Sequence, residues 1–331
     1  MNRTRRSLLA IPGALALLPL LAAGDGALGQ VPDWPTRPIT MVVPYPPGGV
    51  NDLVARAVAD RMSQTLGKPV VISNRAGAAT TVASNFAAKA APDGYTIYAA
   101  GTSLVINPTL QGNVQYDTRR DFRPVSLMSV TPFILHVHPS LPVTDLAGLV
   151  AHARANPDKL NIASSGIGAT NHMAAELLKE AAQIRLVHIP YKGGAQAGQD
   201  VAAGNAQMMF SAAIEAMPLL EGKMTRAVAI SSNKRSPAFP DLPTIEEAGG
   251  PKGFNVVFWQ AMVVPAATPQ PIVDKIYAAT RKAVDDPELQ KQFGRQGVEL
   301  RGSTAEELTQ LFDREEKTWS TLIREKGIKA E

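Results

Sequence analysis

The sequence predicts an α/β protein with two similar lobes that follow one another along the chain. Short apolar runs rich in β-branched residues alternate with segments whose apolar residues recur at helical spacing, which is typical of βαβ units around a parallel sheet. This alternation begins at residue 39 and begins again after Phe122. The chain has 331 residues, enough for about two domains of ordinary size.

The composition excludes several classes of protein. A hydrophobic content of 45% is too high for a disordered chain, and the absence of cysteine excludes a disulfide scaffold and any cysteine-based metal or redox site. The formal charge of +4 is small and dispersed, so we expect no nucleic-acid partner.

Residues 1–29 have the pattern of an export signal. Arg3, Arg5 and Arg6 precede an apolar run over 8–23, and small residues then lead to a predicted cleavage site before Gln30. A membrane anchor is the less favoured alternative, because prolines interrupt the run and it is short for a span of about 20 residues. We therefore expect an exported, soluble mature protein.

The sequence is compatible with two export routes. The arginine pair at 5–6 lies just before the leucine pair at 8–9, which resembles a twin-arginine (Tat) signal. Sec signals also contain such pairs, so the sequence is compatible with either route.

In the first lobe each predicted element has its own local signal. Pro44 ends the first apolar run, Asn51 is a good N-cap for the next helix, and Gly67 followed by Pro69 ends that helix. The predicted strands cover 39–43, 70–72 and 95–100, and the predicted helices cover 51–66 and 82–90.

The second predicted lobe shows the same alternation of strands and helices. Thr144 is the expected N-cap of a helix that ends near Arg154, and a second helix is expected to follow Asn171. The predicted strands cover 133–137, 160–164, 186–189, 207–210 and 226–230.

The C-terminal third is expected to return to the first lobe. The apolar stretch 254–264 is long enough to cross a lobe boundary, and a capping box at Ser303 to Glu306 predicts a last helix. We therefore predict that one lobe comprises 30–130 together with 255–331, and the other 131–254.

Three loops rich in glycine, proline and small hydroxyl residues follow predicted strands, at 44–52, 74–81 and 164–172. In an open α/β sheet such loops face the ligand crevice, and each following helix points free N–H groups at it. These loops can hold an anion through backbone groups. The alternative for any one of them is an ordinary tight turn.

Catalytic motifs are weak in this sequence. Residues 166–171 contain two of the three glycines of a dinucleotide fingerprint, but Asn171 stands at the third position. His172 and Glu176 could share a metal, although no third ligand lies nearby in the sequence. We expect no catalytic residue, metal or cofactor. An exported α/β enzyme that uses this loop together with His172 remains the rival interpretation.

Taken in order, several short motifs resemble the extracytoplasmic solute receptors of tripartite tricarboxylate transporters, the Bug family. The resemblance covers residues 35–329. The motifs that carry it are the stretches 44–49 with 52–56, 74–78, 92–96, 165–172, 188–193, 234–236 with 240–244, and 264–269.

This resemblance implies a periplasmic-binding-protein-like fold of type II, a Venus flytrap with two α/β domains and a double crossover that closes on a small carboxylate. It implies a monomer in the periplasm that delivers its ligand to membrane permease subunits, or alternatively presents its closed form to a sensor kinase. Carried over to this sequence, it points to ligand-binding residues Tyr45, Pro47, Gly48, Gly49, Ser165, Gly166, Gly168, Ala169 and Thr170, with Asn74, Gly77, Ser103 and Tyr191 as further candidates.

One departure from the family pattern concerns the ligand. The family often has an aspartate after the strand at 208–210, where this chain has Ser211. A carboxylate there could hold an ammonium group, whereas Ser211 offers a neutral hydroxyl. At this stage Ser211 is a candidate contact, and we expect a ligand with one or two carboxylates and no essential amine.

Overall fold

The structure is a computed structural model that describes residues 33–112 and 114–329. The predicted export signal and its cleavage site lie outside the described residues. Across 33–112 and 114–329, no helix combines the length and the apolar character needed to span a bilayer.

Strands and helices alternate along the described chain, as predicted. The strands are β1 (Ile39–Val43), β2 (Val70–Asn74), β3 (Thr96–Gly101), β4 (Phe122–Val137), β5 (Asn161–Ser164), β6 (Val187–Pro190), β7 (Met208–Ala212), β8 (Arg226–Ile230), β9 (Val257–Pro265) and β10 (Glu299–Leu300). The helices are α1 (Val50–Leu66), α2 (Thr81–Ala88), α3 (Ser103–Leu110), α4 (Leu146–Ala155), α5 (Thr170–Ala182), α6 (Gly194–Ala202), α7 (Ala213–Glu221), α8 (Gln270–Val284), α9 (Pro287–Gly294) and α10 (Ala305–Lys326).

One mixed sheet runs through the protein in the order β2-β1-β3-β9-β4-β7-β5-β6, and β8 and β10 also pair with β4. The pairs β1–β2, β1–β3, β5–β6 and β5–β7 are parallel, as expected, whereas β4 and β9 pair antiparallel with their neighbours. The βαβ units form parallel pairs as predicted, but the centre of the sheet is antiparallel, so the sheet as a whole is mixed.

The 16-residue strand β4 joins two halves of this sheet. Its first part pairs with β9 and β10, and its second part pairs with β7 and β8. We call β1, β2, β3, β9 and β10 the first half-sheet, and β5 to β8 the second half-sheet. The described chain from Asp33 onwards forms one compact unit, and the lobe boundaries stay predictions.

Three helix starts differ from the sequence-based assignment, and in α10 the capping box is formed by Thr304 and Glu307, one residue later than predicted. Helix α1 begins at Val50 with Gly49 as its N-cap, so Asn51 lies inside the helix and its side chain is buried. Helix α4 is capped by Asp145, whose carboxylate accepts a 2.7 Å hydrogen bond from Gly148 N, and not by Thr144. A carboxylate is the stronger of these two neighbouring caps because it is charged and lies at the positive end of the helix dipole.

The central strands are buried between the flanking helices, whereas the edge strands β2 and β6 are partly exposed, and the loops that follow several strands meet at one edge of the sheet. Strands β1, β5, β6 and β7 all end at this edge, and each is followed by a helix. The edge lies at the carboxyl ends of the strands, where an open α/β sheet presents its ligand crevice.

Candidate functional site

Four helices begin around a space between the two half-sheets. Their N-cap residues are Gly49 for α1, Ala169 for α5, Gly193 for α6 and Ala212 for α7, and none of these caps makes a side-chain hydrogen bond to its helix. The first N–H groups of these helices therefore have no side-chain cap of their own, and all four positive dipole ends converge. The arrangement favours anionic groups.

The inner cavity at this point has a volume of about 150 Å³. Phe133 and Phe258 form apolar walls, and the described residues that line the cavity include no lysine, arginine or histidine. Its lining residues are Tyr45, Pro46, Pro47, Gly49, Val50, Asn51, Phe133, Ser165, Thr170, Asn171, Gly193, Gly194, Ala195, Gln196, Ala212, Glu215 and Phe258.

A wider outer cavity of about 490 Å³ lies beside the inner one and shares Tyr45, Pro46 and Ser165 with it. Gly77, Gly166 and Tyr191 belong to its lining, and Lys192 is its basic residue. The outer cavity thus connects the loops that follow β1, β2, β5 and β6.

The structure brings eight of the fourteen candidate residues to these cavities. Tyr45, Pro47, Gly49, Ser165 and Thr170 line the inner cavity, and Gly77, Gly166 and Tyr191 line the outer one. The other six, which line neither cavity, are Gly48, Asn74, Ser103, Gly168, Ala169 and Ser211.

Ser103 and Gly168 connect the two half-sheets directly. Ser103 Oγ lies 3.2 Å from Tyr45 Oη and donates a 3.1 Å hydrogen bond to the carbonyl oxygen of Gly168. Burial raises the pKa of Tyr45 to about 12, so its hydroxyl keeps its proton and can donate to Ser103. Ser103 and Gly168 thus help to hold Tyr45, which lines the inner cavity, in place.

Asn74 supports the loop after β1. Its Nδ2 donates to the carbonyl oxygen of Tyr45 at 3.0 Å and to Asp52 Oδ1 at 2.8 Å, and Asp52 also accepts from Gly48 N and Arg56 Nε. Burial disfavours ionisation of Asp52, but the hydrogen bonds from Arg56, Asn74 and Gly48 outweigh it and lower the pKa of this carboxyl.

Ser211 lines neither cavity. Its hydroxyl is buried and lies 2.7 Å from His136 Nε2. Burial lowers the pKa of His136 to about 4, so this pair is neutral. The argument that Ser211 excludes an amine from the ligand therefore loses its basis.

Sequence reasoning missed Glu215, which is the acidic residue of the inner cavity. It lies in the first turn of α7, and its Oε1 accepts a 2.9 Å hydrogen bond from Val50 N on the opposite side. Burial raises the pKa of Glu215 to about 7, although backbone hydrogen bonds from Val50 and Ala212 offset part of this effect. The sequence signal that could have identified Glu215 was a single acidic residue shortly after the end of β7.

Two serine–histidine pairs lie behind the cavities. Ser164 Oγ is 2.6 Å from His188 Nε2, and Ser211 pairs with His136, but neither serine lines a cavity and both are buried. A buried hydroxyl outside the crevice cannot attack a substrate there. These pairs therefore have the geometry of packing interactions.

His172 stabilises the loop after β5. Its Nδ1 accepts a 3.2 Å hydrogen bond from Gly168 N, and its ring stacks on that of His188 with 4.0 Å between centroids. Glu176 lies 3.6 Å from His172 Nε2, but the described residues contain no group of three potential metal ligands.

Comparison with known proteins identifies the family of this chain. Residues 54–328 match the model of the tripartite tricarboxylate transporter family receptor. The chain belongs to this family. The receptor family and its solved members are binding proteins, and membership implies a periplasmic location.

Relatives and solved structures cover nearly the whole chain. Protein BugT of Bordetella pertussis is 32% identical over 335 residues, which is 99% of each chain. The solved structure of Rpa4515 of R. palustris with adipate is 32% identical, has a TM-score of 0.85, and covers 88% of this chain and 98% of its own. MatC of Rhodopseudomonas palustris with bound malate is 31% identical, with a TM-score of 0.83, and covers 88% of this chain and 100% of its own. The predicted family and its periplasmic-binding-protein-like fold are confirmed.

Proposed function

We propose that this protein captures a small organic carboxylate between its two lobes in the periplasm and delivers it to the permease of a tripartite tricarboxylate transporter. The single observation that carries the proposal is the convergence of four helix N-termini on one cavity between the half-sheets, where Glu215 accepts from Val50 N at the start of α1 and the N-cap residues themselves supply no side-chain bond. Glu215 is the anionic group that the chain itself supplies there, and the backbone N–H groups and dipole end at the start of α5 suit a ligand carboxylate better than a cation.

The two family members solved with adipate and with malate support a carboxylate as the ligand class. In this chain the proposed contacts come from both half-sheets. Tyr45, Pro47 and Gly49 face the ligand from one side, and Ser165 and Thr170 from the other. Gly77, Gly166 and Tyr191 would contact a longer ligand in the outer cavity.

Capture requires that the ligand contact both lobes and so favour the closed arrangement over an open one. The proposed lobes are 30–130 together with 255–331, and 131–254. A micromolar dissociation constant corresponds to about −8 kcal/mol, which several charge-assisted hydrogen bonds can supply after the cost of closure. We propose that the protein works as a monomer without catalytic activity or cofactor, and that residues 1–29 direct its export by the Tat or the Sec route.

Thermal unfolding of the mature protein with a panel of carboxylates tests the proposal. A ligand at about 100 times its dissociation constant should add roughly 2.7 kcal/mol to the free energy of unfolding. The protein is first unfolded and refolded to remove any ligand retained during purification. If no carboxylate of the panel then raises the unfolding temperature, the proposed function is wrong.

A further inference from the structure

Glu215 occupies an unusual place where three helix starts meet. Its Oε1 accepts from Val50 N at the start of α1, and the residue itself lies in the first turn of α7. A Cβ atom at Gly194, the first residue of α6, would lie 2.3 Å from Glu215 Oε2, and one at Gly49 would lie 3.1 Å from Oε1. Glycine at these two positions leaves room for the carboxylate.

The inner cavity offers hydrogen-bond acceptors without a positive charge to match them. A carboxylate has about four acceptor sites, and the backbone groups of Val50 and Ala212 use two of those of Glu215. Asn51 also lines the cavity, and its Oδ1 is buried and has no hydrogen-bond partner among the described residues. A buried carboxylate without a cationic partner is costly.

The opposite side of the cavity offers a donor. Thr170 Oγ1 lies in the first turn of α5, is buried, and has no hydrogen-bond partner within the described chain. A hydroxyl at a helix start can donate to a carboxylate beside free backbone N–H groups. The cavity is therefore polarised, with acceptors on the Glu215 side and donors on the Thr170 side.

We propose that Glu215 determines ligand specificity, and that the ligand carries an ammonium group facing Glu215 and Asn51 in addition to a carboxylate facing the start of α5. This inference rests on the proposed function, because it assigns the two ends of the captured ligand. A second ligand carboxylate at the Glu215 end would meet a like charge in a buried site. The expectation of an amine-free ligand, which depended on Ser211, is thereby reversed.

The pH dependence of ligand affinity has a definite sign when a ligand ammonium group contacts Glu215. An ammonium group binds best to ionised Glu215, so affinity should rise as the pH increases from 5.5 to 8. The titratable group facing Glu215 is Tyr45, whose pKa is raised to about 12 by burial, and the cavity-lining residues from β4, β9, α5 and α6 carry no charge. A dicarboxylate held by protonated Glu215 would show the opposite slope, because it needs the proton.

Calorimetric titration with a panel of α- and ω-amino acids tests the inference. Each amino acid is compared with the dicarboxylate and the monocarboxylate that have the same carbon skeleton. The best amino acid should bind the wild-type protein more tightly than its two matched acids at pH 8. Glu215→Gln should weaken its binding about ten- to a hundredfold, as expected for a lost charged hydrogen bond, and should abolish the pH dependence. The same substitution should strengthen binding of the matched dicarboxylate.

Glu221→Gln is the control, because Glu221 is exposed at the other end of α7 and should leave binding unchanged. Thermal unfolding verifies that both variants fold. If dicarboxylates bind the wild type at least as tightly as the amino acids, or bind more weakly as pH rises, the inference is overturned while the proposed function stands. If no acid of either kind binds the wild type, both are overturned.

Discussion

Ser103 Oγ donates a 3.1 Å hydrogen bond to the carbonyl oxygen of Gly168, and this bond joins the start of α3 to the loop after β5. The two residues are 65 positions apart and belong to different half-sheets. This contact helps to hold the loop after β5, whose Ser165 lines both cavities, against the first half-sheet. Its removal should therefore affect ligand binding.

We expect Ser103→Ala to weaken ligand binding about three- to tenfold, because a neutral hydrogen bond contributes about 0.5–1.5 kcal/mol net and this one favours the closed arrangement. Calorimetric titration with the ligand found by screening measures the effect. Ser140→Ala is the matched control, since Ser140 is exposed and lies outside both cavities. Equal affinities of the two variants would show that the Ser103 contact does not contribute to capture.

The second prediction concerns the pH dependence of stability in the ligand-free protein. The folded-state pKa of Glu215 is about 7, above the ordinary value of 4.5, so the folded state holds the proton more tightly than the unfolded state. Stability from this group is therefore fully present below pH 4.5 and lost as pH rises through 7, by an amount on the order of 3 kcal/mol.

Urea unfolding at a series of pH values between 4.5 and 8 measures this loss. Glu215→Gln cannot titrate, so the free energy of unfolding of the wild type should fall relative to that of the variant across this window. His188 contributes the opposite sign, because burial lowers its pKa to about 3, but it is present in both proteins and cancels in the difference. Parallel pH profiles would contradict the assignment of a raised pKa to Glu215.

Much of the fold followed from local sequence patterns. The apolar runs and the glycine and proline signals located most strands to within a few residues, but β4 begins at Phe122 and not at 133, and β10 was not predicted. The loops at 44–52, 74–81 and 164–172 do meet at the carboxyl edge of the sheet. Local signals suffice here because each βαβ unit is built from neighbouring segments of the chain.

The chemistry of the cavity did not follow from local patterns. Ser211 is turned toward His136 because side chains alternate along β7, and the pairing of Ile134 with Ser211 places that hydroxyl on the same face as His136. Glu215 meets Val50 across 165 positions of sequence, and no spacing rule predicts that contact. Long-range packing decides which side chains reach a cleft.

The third prediction concerns Asp52, which holds the loop after β1 in place. Its carboxylate accepts hydrogen bonds from Gly48 N, Asn74 Nδ2 and Arg56 Nε, and its side chain is only 2% exposed. We expect Asp52→Asn to cost about 1–3 kcal/mol of stability, because the amide replaces one acceptor by a donor that faces other donors. The ligand affinity should fall as well, since Tyr45 and Gly49 lie on the same loop.

Urea unfolding and calorimetric titration measure these two effects. Asp60→Asn on the same helix is the matched control, because Asp60 is exposed and its ion pair with Arg61 lies at the surface, where such pairs contribute little. A stability loss no larger than that of the control would show that the loop does not depend on Asp52.

The fourth prediction tests the position of Glu215 against α6. Gly194 has an ordinary backbone conformation, and alanine in a helix is normally favoured over glycine by up to about 1 kcal/mol. The added Cβ would nevertheless lie 2.3 Å from Glu215 Oε2. Gly194→Ala should therefore displace the carboxylate from Val50 N, destabilise the protein by about 1–3 kcal/mol, and weaken ligand binding.

Gly294→Ala provides the comparison for this last substitution. Gly294 also lies in a helix, but an added Cβ there has no atom within 4 Å, so the change should be neutral or slightly stabilising. The two variants make the same chemical change in the same secondary structure and differ in whether a carboxylate occupies the added volume. Urea unfolding of both variants separates the effect of the steric clash on stability from the effect of helix propensity. If Gly194→Ala is as stable as Gly294→Ala, Glu215 does not pack against the start of α6.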